Sequence, residues 1–330
     1  MQTNRSPLWA LGGAAVGFAL PFIGMACIAV ICLVSLAGYS GLAAGGANQS
    51  GTHLSGPLSG PAVAVIDIDG EIVSGASGSI GLGSSYAVSG DIIPLIQQAA
   101  ADSEVKSILL RINTPGGSVV ASDEIYHALK GCGKPIVVSM GELDASGGYY
   151  ISMAAQYLVA NPNSLTGSIG VISEFPEASQ LMKNLGVTVA VLKSGAVKDM
   201  GSMYRPMTDE EKAIWQKVID ETYNSFVQIV ADGRHLPVDT VRGLADGRVF
   251  TGRQALALGL VDALGYEEDA LAKAAALGGI KGTPRVIHLA PPALSLVSAL
   301  LSGQVSQSLF SGNFLSDLLA PKLEYRWMGQ

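Results

Sequence analysis

From residue 61 onward the chain alternates short β-branched runs with segments of helical periodicity, and few architectures accommodate that alternation. AVAVIDI (62–68), SILLRI (107–112), PIVVSM (135–140), QYLVA (156–160) and VTVAVLK (187–193) read as strands. DIIPLIQQAAAD (91–102), SVVASDEIYHALKG (118–131) and SGGYYISMAA (146–155) read as helices, with Asp91 and Ser118 placed as N-caps of the first two. This is the βαβ rhythm of an α/β domain whose strands are mostly parallel. A longer helix is expected over 208–232, because Thr208 and Glu211 stand in capping-box spacing. Its apolar face (Ile214, Trp215, Val218, Ile219, Tyr223, Phe226 and Val230) should pack on the core or on another subunit. Short helices around 252–258 and 267–276 close the domain, and no internal repeat is visible.

Ahead of the domain, no Asp, Glu, Lys or Arg occurs from Ser6 to Val65, and residues 7–38 are almost wholly apolar. A bilayer needs roughly 20 such residues, and the apolar core of a cleaved signal peptide only about 7–15, so the stretch reads as an uncleaved membrane anchor. Arg5 precedes it and the next basic residue is Lys106, which places the start of the chain in the cytoplasm and the domain outside. A helical hairpin, with Pro21 inside it, is the lesser alternative and would return the domain to the cytoplasm.

The expected organisation is therefore an anchor with a short cytoplasmic start over 1–38, a Gly/Ser-rich tether over 39–60, the folded domain over 61–285, and a tail over 286–330 that is uncharged between 289 and 316. Hydrophobic residues make up 48% of the chain and charged ones 14%, as an anchored protein requires. The net charge of −7, without any Lys/Arg-rich run, argues against nucleic acid as a partner. Of the three cysteines only Cys132 lies outside the anchor, so no disulfide framework within the domain and no metal site is implied.

Three Gly-rich junctions carry candidate chemistry. In GELDASGGYYIS (141–152) a strand ending at Met140, a short loop and a helix starting at Ser146 would aim the hydroxyl out of the sheet's carboxyl edge, with Gly147 and Gly148 leaving room for a substrate backbone. The bland alternative is that Ser146 is only a helix cap. In INTPGGSV (112–119) successive N–H groups can form an oxyanion hole, or merely a tight turn. In SLTGSIGVI (164–172) Ser168 stands between the glycines at 167 and 170 after another short strand.

A serine nucleophile needs a base. His53, His127, His235 and His288 have no convincing setting, which leaves Lys193 and Lys198 in LKSGAVKDM (192–200). A lysine at its usual pKa of about 10.4 must lose several units by desolvation to serve, each unit worth about 1.4 kcal/mol. Burial against another subunit or a bound peptide could supply this. Otherwise either lysine is a solvated surface cation.

ASGGYYISMAA, INTPGGSV, LTGSIGVI, LKSGAVKDM with RPMTDEEK (205–212), and ADGRVFTGRQALALGLVD (245–262) occur in register, and over about residues 60–275 the chain resembles the signal peptide peptidase A family of membrane-anchored serine proteases. The resemblance implies a spiral of βαβ units like that of the Clp protease subunit and the crotonases. It implies a Ser/Lys dyad of Ser146 (nucleophile) and Lys198 (base), Ser168 orienting the lysine, and an oxyanion hole at Gly117, to which the N–H of Gly147 is added because it follows the nucleophile. Lys193 falls outside the dyad. Asp144 departs from the family's small or apolar residue there, and would raise the lysine pKa if it points inward, which puts the pH optimum in question.

No cofactor or metal is implied. The resemblance further implies a dome of subunits on the cytoplasmic membrane, with the catalytic domains extracytoplasmic, acting on apolar peptides such as cleaved signal peptides. The rivals are a related protease acting on other membrane proteins, an acyl-CoA enzyme of the crotonase type, and a catalytically inactive oligomeric scaffold.

Overall fold

The apolar runs at 62–68, 107–112 and 135–140 become the centre of one sheet, and their near-continuous hydrophobicity has a simple cause: both faces of these strands are covered. The computed structural model describes residues 53–57, 59–75, 86–291 and 323–328, all in one compact unit. In chain order its first elements are β1 (His53–Ser55), β2 (Ala62–Asp69), β3 (Glu71–Val73), β4 (Tyr86–Val88), α1 (Ser89–Ala101), β5 (Val105–Thr114), β6 (Gly116–Ser118), α2 (Val119–Gly131), β7 (Ile136–Ala145) and α3 (Gly147–Ser152). There follow β8 (Tyr157–Ala160), β9 (Leu165–Gly167), α4 (Ser179–Asn184), α5 (Asp209–Arg234), α6 (Val238–Leu244), β10 (Val249–Thr251), α7 (Gly252–Ala257), β11 (Ala263–Leu264), α8 (Glu267–Leu277), β12 (Arg285–Leu289) and β13 (Glu324–Arg326).

The main sheet runs β1-β12-β2-β5-β7-β8-β11, with β9 joining β7 and β10 joining β9. From β12 to β11 the strands are parallel, with Ile66 beside Leu110, Leu110 beside Val138 and Val138 beside Leu158. Those four belong to a core shared with Ile96, Ile125 and Tyr149 of α1, α2 and α3. Their neighbours Val63, Val65, Leu109 and Val137 pack with Ala270 and Ala274 of α8 on the opposite face. The expected α/β class with βαβ units is therefore present. A second, smaller sheet has the order β13-β6-β3-β4, in which β13 is antiparallel to β6.

Local signals held where they are local. Ser118 caps α2, accepting the Ala121 N–H at 3.3 Å, and Thr208 with Glu211 forms the capping box of α5. Asp91 does not cap: β4 leads straight into α1, which begins two residues earlier, and Asp91 sits in its first turn, where a negative charge suits the helix dipole. Along α5 only the second half of the apolar face is buried, through Phe226 and Val230, while Ile214 and Val218 stay exposed.

Three expectations need correction. VTVAVLK (187–193) forms no strand: no described strand runs alongside it, and a β-branched run without a ladder partner has nothing to stabilise it. β7 does not stop at Met140 but runs on to Ala145, and α3 is correspondingly short, starting at Gly147 and ending at Ser152. The domain boundaries are wider than 61–285, because β1 from the tether pairs with β12, and β12 and β13 both come from the tail. The membrane anchor expected over 1–38 lies outside the described residues; among those described, no helix is long and apolar enough to cross a membrane.

Candidate active site

β8 ends at Ala160, yet β7 continues, because Leu143, Asp144 and Ala145 take β9 (Leu165, Thr166 and Gly167) as a new parallel partner. That extension delivers the chain to Ser146. There the backbone turns abruptly, with φ 55° and ψ −113°, a conformation that costs a non-glycine residue on the order of 1–3 kcal/mol. The turn is pinned from both sides: the Ser146 N–H donates to the Gly167 carbonyl at 2.8 Å, and its carbonyl accepts the Tyr150 N–H at 2.9 Å. Ser146 holds the N-cap position of α3, but its side chain makes no capping hydrogen bond. Ser146, 1% exposed, thus stands on a strained strand-to-helix corner, and among the described residues its hydroxyl caps nothing.

The glycines around it are required by close approach. A Cβ on Gly147 would stand 2.6 Å from Ser122 Oγ and 3.3 Å from the Gly116 Cα, and one on Gly148 would stand 2.7 Å from Asp144 Oδ1. Gly117 has φ 154°, and a Cβ there would collide with the backbone of Ile72 in β3. The PGG turn is thus held against the start of α3, with the Gly116 N–H fastened to Thr114 Oγ1 at 3.0 Å. Ser168, with φ 50°, follows the glycine whose carbonyl receives the Ser146 N–H, and its own N–H donates to the Arg248 carbonyl at 2.9 Å. Ser146, Gly147, Gly117 and Ser168 are accordingly brought together.

Lys198 is not brought to them. It lies exposed on the irregular segment after α4, its backbone N–H closing a turn to the Gly195 carbonyl at 3.2 Å, and among the described residues its ammonium makes no hydrogen bond or ion pair. Lys193 is committed elsewhere, donating to Asp199 Oδ1 and to the Ala196 carbonyl, both at 2.6 Å. Arg205 fastens the segment to α5, bonding Asp199 at 2.6 Å and Glu211 at 2.8 Å. Hydrogen bonds from Arg205 and then Lys193 hold Asp199 far below the ordinary carboxylate range, and those from Arg205 bring Glu211 down to about 2. Lys198 is the cation of this loop left over from the network.

Asp144 points inward, away from solvent. Its Oδ2 accepts the Ser152 hydroxyl at 2.7 Å, its Oδ1 has no partner among the described residues, and burial pushes its carboxyl up to about 7, opposed only in part by the Ser152 bond. Sequence reasoning missed a further participant, Tyr325 of β13, which stands opposite Gly117. The one available signal was the charged and aromatic cluster EYRW (324–327) after a long uncharged stretch.

Two family profiles match this part of the chain: Peptidase family S49 over residues 128–281 and Clp protease over 75–166. Over residues 128–281 the chain is similar to peptidase family S49. Among similar proteins, a candidate protease of Methanocaldococcus jannaschii is 43% identical over 198 residues that make up 59% of this chain and 63% of that protein. A candidate protease of Synechocystis is 48% identical over 181 residues, 54% of this chain and 65% of that protein. The chloroplastic serine protease SPPA of Arabidopsis thaliana is 32% identical over 262 residues, 78% of this chain and 38% of that protein. The chain thus spans less than two thirds of the length of these relatives. The S49 match agrees with the resemblance to the signal peptide peptidase A family, and the Clp protease match with the expected relationship of the fold.

Proposed function

We propose that this chain is a serine endopeptidase that cleaves apolar peptides by acyl transfer, with Ser146 as nucleophile and Lys198 of a neighbouring copy as general base. The observation that carries the reading is Ser146 itself, a buried, strained serine with no capping bond, set against the Gly116–Gly117 turn. A neutral Lys198 takes the hydroxyl proton, the alkoxide attacks the substrate carbonyl, and N–H groups at Gly117 and Gly147 stabilise the oxyanion. The same lysine then protonates the leaving amine and activates the hydrolytic water. Ser168 orients the amine.

The assignment of the base to a second copy follows from the setting of Lys198. The segment that carries it exposes Leu185, Val187, Val189 and Val191, with Leu192 99% exposed, so it has an apolar surface but no cover of its own. Docked on a neighbour, that surface would be buried, and the lysine would lose the solvent that keeps it charged. An assembly on a membrane, held by the apolar stretch at 7–38, suits short apolar substrates such as remnant signal peptides.

Complementation tests this directly. Ser146→Ala and Lys198→Ala are each expected to abolish cleavage of a fluorogenic apolar peptide. Co-expressed, they should regain about a quarter of wild-type activity, since in a head-to-tail ring about one interface in four would join an intact serine to an intact lysine. Mixed assemblies as inactive as the two parents would refute a shared site, and activity surviving in Ser146→Ala would refute the nucleophile.

A further inference from the structure

LKSGAVKDM (192–200) holds two lysines, and the proposed reaction uses one of them. What the other does follows from how the segment folds. Consecutive turns are closed by the Lys198 N–H on the Gly195 carbonyl at 3.2 Å and by the Met200 N–H on the Val197 carbonyl at 3.1 Å. They curl the chain back until Lys193 reaches Asp199, its Nζ bonding Oδ1 at 2.6 Å. Arg205 grips the same carboxylate, with Nη2 on Oδ1 at 2.6 Å and Nε on Oδ2 at 3.0 Å. Both oxygens are thus occupied, in a side chain only 14% exposed. Arg205 is held in turn by the buried Glu211 of the α5 capping box, through Nη1 on Oε2 at 2.8 Å.

Asp199 is the residue directly after the proposed base. A free carboxylate there lies within the sweep of a lysine's flexible stem, and an opposite charge within about 4–6 Å favours the charged form by about 1–3 pKa units. That leaves about 10–1,000-fold fewer neutral amines to take the Ser146 proton. The segment avoids this by balance: two cations, Lys193 and Arg205, meet two anions, Asp199 and Glu211, and Lys198 is the odd charge. Among the other charged groups of these elements, Asp209 pairs with Lys212 at 3.3 Å and Glu177 accepts the Ser179 N–H at 2.7 Å. Glu174, Lys183, Tyr204 and Glu210 are solvent-exposed. On the neighbour's side the titratable group beside Ser146 is the buried Asp144.

We infer that Lys193 and Arg205 are positioning residues for the base: by taking both oxygens of Asp199 they deny Lys198 a counter-ion, so that docking on a neighbour frees it of its proton. The inference rests on Lys198 being the base for Ser146. Arg205 also braces the loop on α5, and the two roles are separable. A brace changes how much active enzyme forms or how fast it turns over; a withheld counter-ion changes the pH at which the base becomes neutral.

The test is the acid limb of kcat/KM for a fluorogenic apolar peptide, measured on the full chain in detergent from pH 6 to 10. Arg205→Gln should move the limb up by about one pH unit or more, leaving activity about tenfold below wild type at pH 7 and recovering it towards pH 10. Lys193→Gln, at a side chain 32% exposed and with Arg205 still in place, should move it the same way by about half a unit. Adding Asp199→Asn to either should bring the limb back, because the freed carboxylate is gone, and Arg205→Lys should hold it near the wild-type position. Asp144 titrates alike in all of these and cancels in the comparison. If Arg205→Gln does not fold by circular dichroism, Lys193→Gln decides alone. A limb that stays at the wild-type pH in the folded variants, whatever the drop in its plateau, overturns the proposal and leaves Lys198 standing. Cleavage by Lys198→Ala with its acid limb unmoved overturns the reading beneath it.

Discussion

Replacing Asp144 by Asn should stabilise the protein above neutral pH and leave it almost unchanged near pH 4. The carboxyl is fully buried two residues before Ser146, bonded among the described residues only to the Ser152 hydroxyl, with a pKa raised by burial from an ordinary 3.8 to about 7. Between those values the native state keeps a proton that the unfolded chain has lost, so stability falls as pH rises through the window and levels off above about 7. A shift of about three units, at about 1.4 kcal/mol each, places the ceiling of the effect at about 4 kcal/mol. Asn is neutral throughout and keeps the shape. Carboxylates held low by partners, such as Glu211 at about 2, act in the opposite direction at acid pH and cancel in the difference between wild type and variant. Urea unfolding of both proteins from pH 4.5 to 8.5 should give a difference that grows with pH and saturates near 7.5. A difference that does not change with pH, or an Asn variant less stable than wild type at pH 8, would show that the carboxyl is solvated or paired in the native state and refute the reasoning.

The strain at Ser146 predicts that Ser146→Gly melts at a higher temperature than Ser146→Ala, by about 1 kcal/mol of stability, although both are inactive; equal melting points would remove the claim of strain. Gly117→Ala should abolish peptide cleavage, because its Cβ meets the Ile72 backbone at a φ that only glycine adopts readily, and normal activity would dismiss Gly117 as an oxyanion donor. Glu211→Gln loosens the Arg205 clasp on the Lys198 loop, so it should lower activity and flatten the loss of stability as pH falls from about 4.5 to 2, both readable by peptide cleavage and acid titration.

Most of the fold was legible because its signals are local or doubly enforced. Strands such as 62–68 and 107–112 are apolar on both faces and allow no other placement, and Thr208 with Glu211 forms its cap three residues apart. What escaped depends on partners distant in sequence. Polar GELDA becomes strand only because β9 arrives to pair with it, apolar VTVAVLK fails to become one because nothing does, and the three residues of β13 carry no strand signal without β6 and Ile172 on either side. In the site, motif spacing pointed to Ser146, Gly117 and Ser168, but the strained backbone angle at Ser146 is not written in residue types. Lys198 was chosen by resemblance, and the structure supplies a reason for it over Lys193, whose ammonium is already bound to Asp199.

The most direct test of the central claim is to treat wild type and Ser146→Ala with a fluorophosphonate and locate the adduct by peptide mass spectrometry. The account predicts one modified serine, Ser146, in wild type, and no modification in the variant. An adduct on any other serine, or labelling that persists in Ser146→Ala, would contradict it.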